Sequence, residues 1–122
     1  MVASVEERWL DELYAYSEAC FSQVKVPSHD HLHHLRVWQR AKELVVELNN
    51  DGREVTENDI RNLIIAIFFH DIGMIKTIDK QHGRESRKIC EKYFSECTRI
   101  SSQDLETICS AVEKHDDKEY KN

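Results

Sequence analysis

The chain has 122 residues, of which 40% are apolar and 33% are charged, a composition typical of a single folded domain. The net charge of −6 argues against binding of nucleic acid through a basic surface, and the longest apolar run, Leu63–Phe69, is too short to span a membrane. Because residues 1–25 also lack a signal-peptide pattern, we expect one cytoplasmic domain over residues 1–122, with neither a nucleic-acid nor a membrane partner.

Cysteine spacing supports the same compartment. No CxxC pair occurs, and the spacing fits neither a zinc finger nor a dense disulfide framework. We therefore expect four reduced thiols, most of them buried: Cys20, Cys90, Cys97 and Cys109.

The pattern of apolar residues predicts helices only. Ser4-Val-Glu-Glu resembles a capping box and predicts the start of the first helix, which precedes a break at Val26-Pro27-Ser28. Ser28 or Asp30 is a candidate cap for the second helix, which ends at residues 49–52. The second helix is expected to turn six residues inward: Leu35, Trp38, Ala41, Leu44, Val45 and Leu48.

The third helix begins with a second capping box, Thr56-Glu-Asn-Asp59, and is apolar nearly all round, so we expect Thr56–Asp71 to be the buried centre and Gly73 to cap its end. A fourth helix carries Ser86, Ile89 and Tyr93 on one stripe. A fifth follows a cap at Ser101. Since no segment alternates with a period of two, the predicted fold is an all-α, compact bundle of about five helices.

Polar residues that can bind metal lie at the ends of these helices. In an antiparallel bundle with short connections, the start of helix two, the end of helix three, the start of helix four and the end of helix five meet at one end. Six positions would then converge there: His33 or His34, His70, Asp71, His82, His115 and Asp116. Imidazole and carboxylate groups without thiolate suit a divalent transition metal such as Mn, Fe, Ni or Zn.

Four sequence segments together resemble the HD-domain superfamily of metal-dependent phosphohydrolases. They are His33 with Arg36-Val37, then Ala66-Ile-Phe-Phe-His70-Asp71-Ile-Gly73, then His82-Gly-Arg-Glu-Ser86, then Ala111-Val-Glu-Lys-His115-Asp116. The resemblance covers residues 28–118. It implies an HD-domain-like bundle with a metal site at one end, which hydrolyses a phosphate ester, of a nucleotide in many members.

The resemblance also assigns roles to individual residues. It selects His33 over His34, so that the implied metal ligands are His33, His70 and Asp71. His82 and His115 match the histidines that hold a second ion, and Lys76 matches a lysine that meets phosphate. Asp71 would hold the metal and orient water. Independently of the resemblance, Arg36, one turn beyond His33, would either bind substrate phosphate or form a surface salt bridge, and Lys76 would either bind phosphate or be a solvated loop lysine.

Family members usually close the site with an aspartate on a further helix, and the sequence ends at Asn122 before such a helix. Either Asp116 or Asp117 substitutes as the fourth ligand, or the chain is truncated at its C-terminus. Besides a phosphohydrolase with one or two metal ions, two alternatives stay open. One is a non-catalytic module that binds metal or a nucleotide, and the other is a di-iron oxygenase of the same superfamily.

Overall fold

The computed structural model describes residues 2–22, 31–70, 72–75, 82–95, 97 and 99–114. Within these residues there are five α-helices and no strand, which confirms the all-α prediction. The α-helices are α1 (Val2–Phe21), α2 (His31–Asn50), α3 (Glu57–Phe69), α4 (His82–Tyr93) and α5 (Ser102–Lys114), and a short 3-10 helix (Ile72–Ile75) lies between α3 and α4. None of the helices described here has the length and hydrophobicity that a membrane span requires.

Helix α3 is the centre of the bundle, as its sequence predicts. It contacts α1, α2, α4 and α5, and its side chains from Ile64 to Phe69 are buried apart from Ala66, which is half-buried. The capping box at its start is confirmed. The Thr56 hydroxyl accepts the Asp59 amide, and the Asp59 carboxylate accepts the Thr56 amide, each at 3.1 Å. A cap of this kind stabilises a helix by about 1 kcal/mol.

The predicted end of α3 at Gly73 is wrong. The helix ends at Phe69, and His70 caps it in a right-handed conformation with φ of −63°. Among the described glycines, the left-handed conformation occurs at Gly52, with φ of 86°, and not at Gly73. Gly73 instead lies buried in the 3-10 helix, where its amide donates to the Ser86 hydroxyl, so the chain turns here through a contact with α4.

The start of α1 also differs from the prediction. The helix begins at Val2, so Ser4 lies within its first turns, and the Ser4 hydroxyl donates to the Glu57 carboxylate at the start of α3. The hydroxyl therefore joins two helices rather than capping one. The candidate caps of α2, Ser28 and Asp30, lie outside the described residues.

One residue predicted to face inward from α2 is exposed. Trp38 and Val45 are buried against the core, whereas Leu44 is 54% exposed. Successive residues on a helix are about 100° apart, so Leu44, next to Val45, turns away from the side that packs against α1 and α3.

The four cysteines are free thiols, as predicted. Cys90 on α4 and Cys109 on α5 are buried, whereas Cys20 and Cys97 are half-buried. They behave as small apolar side chains of the core.

Candidate metal centre

Three histidine rings meet where the start of α2 lies against the end of α3. The ring centroids of His33 and His70 are 6.1 Å apart, and those of His34 and His70 are 5.2 Å apart. His33 and His34 are themselves 6.0 Å apart, as expected for neighbours on one helix. His70 is far from His33 and His34 in the sequence, so the packing of α2 against α3 brings it to them.

The predicted ends of α4 and α5 lie at the same end of the bundle. Near the start of α4, the Ser86 hydroxyl donates to the His70 carbonyl oxygen at 3.1 Å. The next residue, Arg87, forms an ion pair of 3.0 Å with Glu113 near the end of α5. These contacts join α4 to the end of α3 and to the end of α5, whereas α2 contacts α1 and α3 alone among the described helices. The predicted meeting of all four helix ends stays a prediction.

The His70 ring is held in one orientation by its own helix. Its Nδ1 atom is hydrogen-bonded to the Ile67 carbonyl oxygen. A carbonyl oxygen can only accept, so Nδ1 carries the proton and the neutral ring has its lone pair at Nε2. A histidine that donates one ring N–H to a backbone carbonyl and offers the other nitrogen is the usual form of a metal-binding histidine.

His34 has the surroundings of a core residue. It is fully buried, and its Nδ1 lies 3.1 Å from the hydroxyl of Ser17, which is buried on α1. Its ring makes edge contacts with Phe21 and Phe68 at centroid distances of 5.5 and 5.9 Å. The sequence analysis did not identify Ser17. It could have been found because Ser17 follows Trp9 and Leu13 at helical spacing on the apolar face of α1.

His33 is half-buried and lies beside His70, so it is nearer to solvent than His34. Two imidazoles on one ion, each about 2.0–2.1 Å from it, have centroids roughly 5 Å apart. The His33–His70 separation of 6.1 Å is about 1 Å above that value, and the His34–His70 separation of 5.2 Å is closer to it, so ring spacing does not choose between the two. Imidazole donors suit a divalent transition metal, and His33 is the more accessible partner of His70.

Ser86 joins α4 to both sides of the turn that follows α3. Its hydroxyl accepts the Gly73 amide at 2.7 Å while it donates to the His70 carbonyl oxygen. Ser86 is fully buried, so the two hydrogen bonds are shielded from water. The sequence places Ser86 on an apolar stripe of α4. A hydroxyl in such a stripe needs a hydrogen-bond partner inside the protein, which here is the backbone of His70 and Gly73. Since Asp71 falls within residues 70–73, Ser86 fixes the backbone on both sides of it.

Several predicted site residues fall outside the described part of the chain. They are Asp71, Lys76, His115, Asp116 and the side chain of His82, whose backbone begins α4. Among the side chains that the structure does describe, no group of three or more His, Cys, Asp or Glu residues is arranged to hold a metal.

Arg36 is exposed on α2, one turn beyond His33. Arg36 forms no ion pair with any described residue, so the described part of the chain does not show the surface salt bridge that was the alternative to phosphate binding.

Comparison with known proteins gives one match. The family model described as the HD domain matches residues 31–121, which is most of the chain. Comparisons with curated proteins and with solved structures give no match.

Proposed function

This chain belongs to the HD-domain family, and we propose on that basis that it is a metal-dependent phosphohydrolase. Its substrates are phosphate esters of small molecules, nucleotides included. Membership in a family of metal-dependent hydrolases agrees with an all-helical fold whose α2 start and α3 end meet. The observation that carries the proposal is the pairing of His33 with a His70 ring whose tautomer leaves Nε2 as the ligand atom.

The proposed ligands of the first ion are His33, His70 and Asp71. His82 and His115 would hold a second ion. This is supported by the hydrogen bond from Ser86 on α4 to the His70 carbonyl oxygen and by the ion pair between Arg87 on α4 and Glu113 near the end of α5. Asp116 is the proposed fourth ligand. A divalent transition metal bound there would lower the pKa of a water molecule and so supply a nucleophile near neutral pH.

The protein's own groups position the substrate and neutralise its charge. Arg36 is exposed one turn from His33, and its guanidinium can donate two parallel hydrogen bonds to a phosphate. Lys76, five residues beyond Asp71, is the second proposed phosphate-binding group. Such cations are needed in a protein whose net charge of −6 would otherwise repel an anionic substrate.

The buried side of α3 keeps the site rigid. The side chains of Ile67, Phe68 and Phe69 are buried in the core. The carbonyl oxygen of Ile67 accepts the hydrogen bond that orients His70. A ligand fixed in this way loses little conformational entropy on binding, which favours a tight metal site.

The experiment is a hydrolysis panel. The metal-free protein is reloaded separately with Mn²⁺, Fe²⁺, Ni²⁺ or Zn²⁺ and incubated with nucleoside mono-, di- and triphosphates while phosphate release is measured. We expect metal-dependent turnover of at least one ester and a loss of at least about 100-fold in His70→Ala. Gln39→Ala, an exposed substitution on α2, is the matched control and should keep wild-type activity. Absence of turnover with every metal, or equal activity of His70→Ala, would overturn the proposal.

A further inference from the structure

A cleft away from the histidine cluster is lined by guanidinium groups. Its volume is about 480 Å³, and its described lining consists of Arg8, Trp9, Arg61 and Arg99. These residues come from α1, from α3 and from the segment before α5. Clefts of roughly 300–1,000 Å³ are the size that small-molecule ligands occupy.

Arg61 is held in place by hydrogen bonds to two neighbours, Asn62 and Asp104. Its Nη2 atom donates to Asp104 at 2.8 Å, and Nε and Nη2 donate to Asn62 at 3.2 and 3.0 Å. The side chain is only 14% exposed. A guanidinium has five N–H donors, so these contacts fix its position and leave the Nη1 group for a ligand.

Arg99 is fixed in a similar way. Its guanidinium carbon lies 4.0 Å from the centroid of the Trp9 ring, a cation–π arrangement, and Nη2 donates to both Glu12 carboxylate oxygens at 3.1 Å. Of the three guanidinium nitrogens, Glu12 engages Nη2 alone. Arg99 also covers the Trp9 face, so a planar base has no place to stack there.

Arg8 differs from the other two arginines. It is exposed on α1 and forms no ion pair with any residue that the structure describes. Three carboxylates near the cleft have partners: Glu12 pairs with Arg99, Asp104 pairs with Arg61, and Glu57, which lines an adjoining pocket, accepts a hydrogen bond from Ser4. The cleft therefore combines two guanidiniums that are held by carboxylates with one exposed guanidinium that forms no ion pair in the described part of the chain.

We propose that this arginine cleft is a second binding site, which takes a small molecule through a diphosphate or triphosphate group. Guanidinium groups match phosphate oxygens in pairs of parallel hydrogen bonds, and a polyphosphate can span three of them. Preorganised Arg61 and Arg99 reduce the entropy cost of binding. Because no aromatic face is open, the phosphate chain carries the recognition rather than a base.

The arginine cleft is separate from the candidate metal centre. Arg61 precedes His70 by nine residues on α3, which corresponds to roughly 13 Å along the helix axis. The proposal therefore stands whether or not the metal centre hydrolyses phosphate esters.

The test is calorimetric titration of inorganic pyrophosphate into the full chain in EDTA, so that no metal recruits the anion. Four proteins are compared at one low ionic strength: wild type, Arg8→Gln, Arg53→Gln and His70→Ala. Arg53 is an exposed arginine outside the cleft and is the matched control for charge. Arg8→Gln should weaken binding about tenfold, while Arg53→Gln and His70→Ala should bind like wild type.

A second measurement locates the bound anion. In ¹H–¹⁵N spectra, the side-chain Nε–H signals of Arg61 and Arg99 should shift on addition of pyrophosphate, and that of Arg53 should not. Three results would overturn the proposal: no saturable binding by wild type, unchanged affinity in Arg8→Gln, or loss of binding in His70→Ala. The last would place the anion at the histidine cluster instead.

Discussion

The Ser86 hydroxyl on α4 donates a hydrogen bond of 3.1 Å to the carbonyl oxygen of His70 at the end of α3. The Ser86 hydroxyl oxygen also accepts the amide of Gly73, so one buried side chain holds the backbone at His70 and at Gly73, on either side of Asp71 in the sequence. In this account, the orientation of the proposed ligands depends on a residue that touches no metal.

Ser86→Ala should therefore weaken metal binding as well as the fold. Removing the hydroxyl leaves the buried Gly73 amide without its acceptor, at a cost of about 1–3 kcal/mol in the free energy of unfolding. We expect the Mn²⁺ affinity of the folded protein to fall by about 10–100-fold, the range for residues that orient metal ligands.

Calorimetric Mn²⁺ titration and thermal unfolding of the metal-free protein separate the two effects. Ser95→Ala, which removes an exposed hydroxyl after α4, should change neither quantity. A Ser86→Ala protein that unfolds more easily yet binds Mn²⁺ like wild type would show that Ser86 acts on stability alone.

Substitution of the two adjacent histidines should have opposite consequences. His33→Ala should reduce the metal affinity at least about 100-fold and change the free energy of unfolding by less than about 1 kcal/mol, because His33 is half-buried. His34→Ala should cost about 2–4 kcal/mol, since it empties a buried site and removes the partner of Ser17. The folded fraction of His34→Ala should retain its metal.

Metal content by elemental analysis and the midpoint of urea unfolding are the two readouts. The assignment would be reversed if His34→Ala lost the metal while His33→Ala kept it.

The sequence could predict the helices and the meeting of α2 with α3 but not the details of the site. Periodicity identified α3 as central, and its cap at Thr56 followed from local residue types alone. Periodicity could not choose between His33 and His34, because two adjacent residues on α2 can both lie close to the buried face of the helix. That distinction comes from Ser17, 17 residues away on α1. The end of α3 was misplaced for a similar reason, since the Gly73 amide finds its partner on α4.

Acid should destabilise the protein partly through Glu6. Burial alone would raise its pKa, but hydrogen bonds from Lys42 and Trp38 outweigh burial and hold the pKa below its usual value of 4.5. A carboxyl group with a lowered pKa in the folded state adds stability above its unfolded pKa, and this stability is lost as pH falls through the folded pKa. The free energy of unfolding should therefore decrease below about pH 4.5.

Glu6→Gln should make that decrease shallower, by a few tenths to about 1 kcal/mol, because the salt bridge to Lys42 is partly exposed. Urea unfolding at several values between pH 3 and 7 measures this pH dependence of the free energy of unfolding. Glu43→Gln, at an exposed position on the same helix as Lys42, is the control. An acid dependence identical in Glu6→Gln and wild type would argue against this role.

His82→Ala tests whether the centre holds two ions. If His82 binds the second ion, the metal content at saturation should fall from two ions per chain to one, and tight binding of the first ion should persist. His31→Ala at the first residue of α2 is the matched histidine control and should leave the stoichiometry unchanged. A stoichiometry unaffected by His82→Ala would mean that His82 is not a ligand.

Metal content in Asp71→Ala tests the proposed metal centre more directly than any other measurement. Asp71 is the carboxylate proposed to complete the site with His33 and His70, so its loss should remove bound metal and phosphate-ester hydrolysis together. Without metal, Asp71→Ala should be at least as stable as wild type, because the substitution removes a negative charge that the proposed metal would otherwise offset. Elemental analysis should find at least one ion per wild-type chain and none in Asp71→Ala. Full metal content and activity in Asp71→Ala would show that the metal does not bind at Asp71.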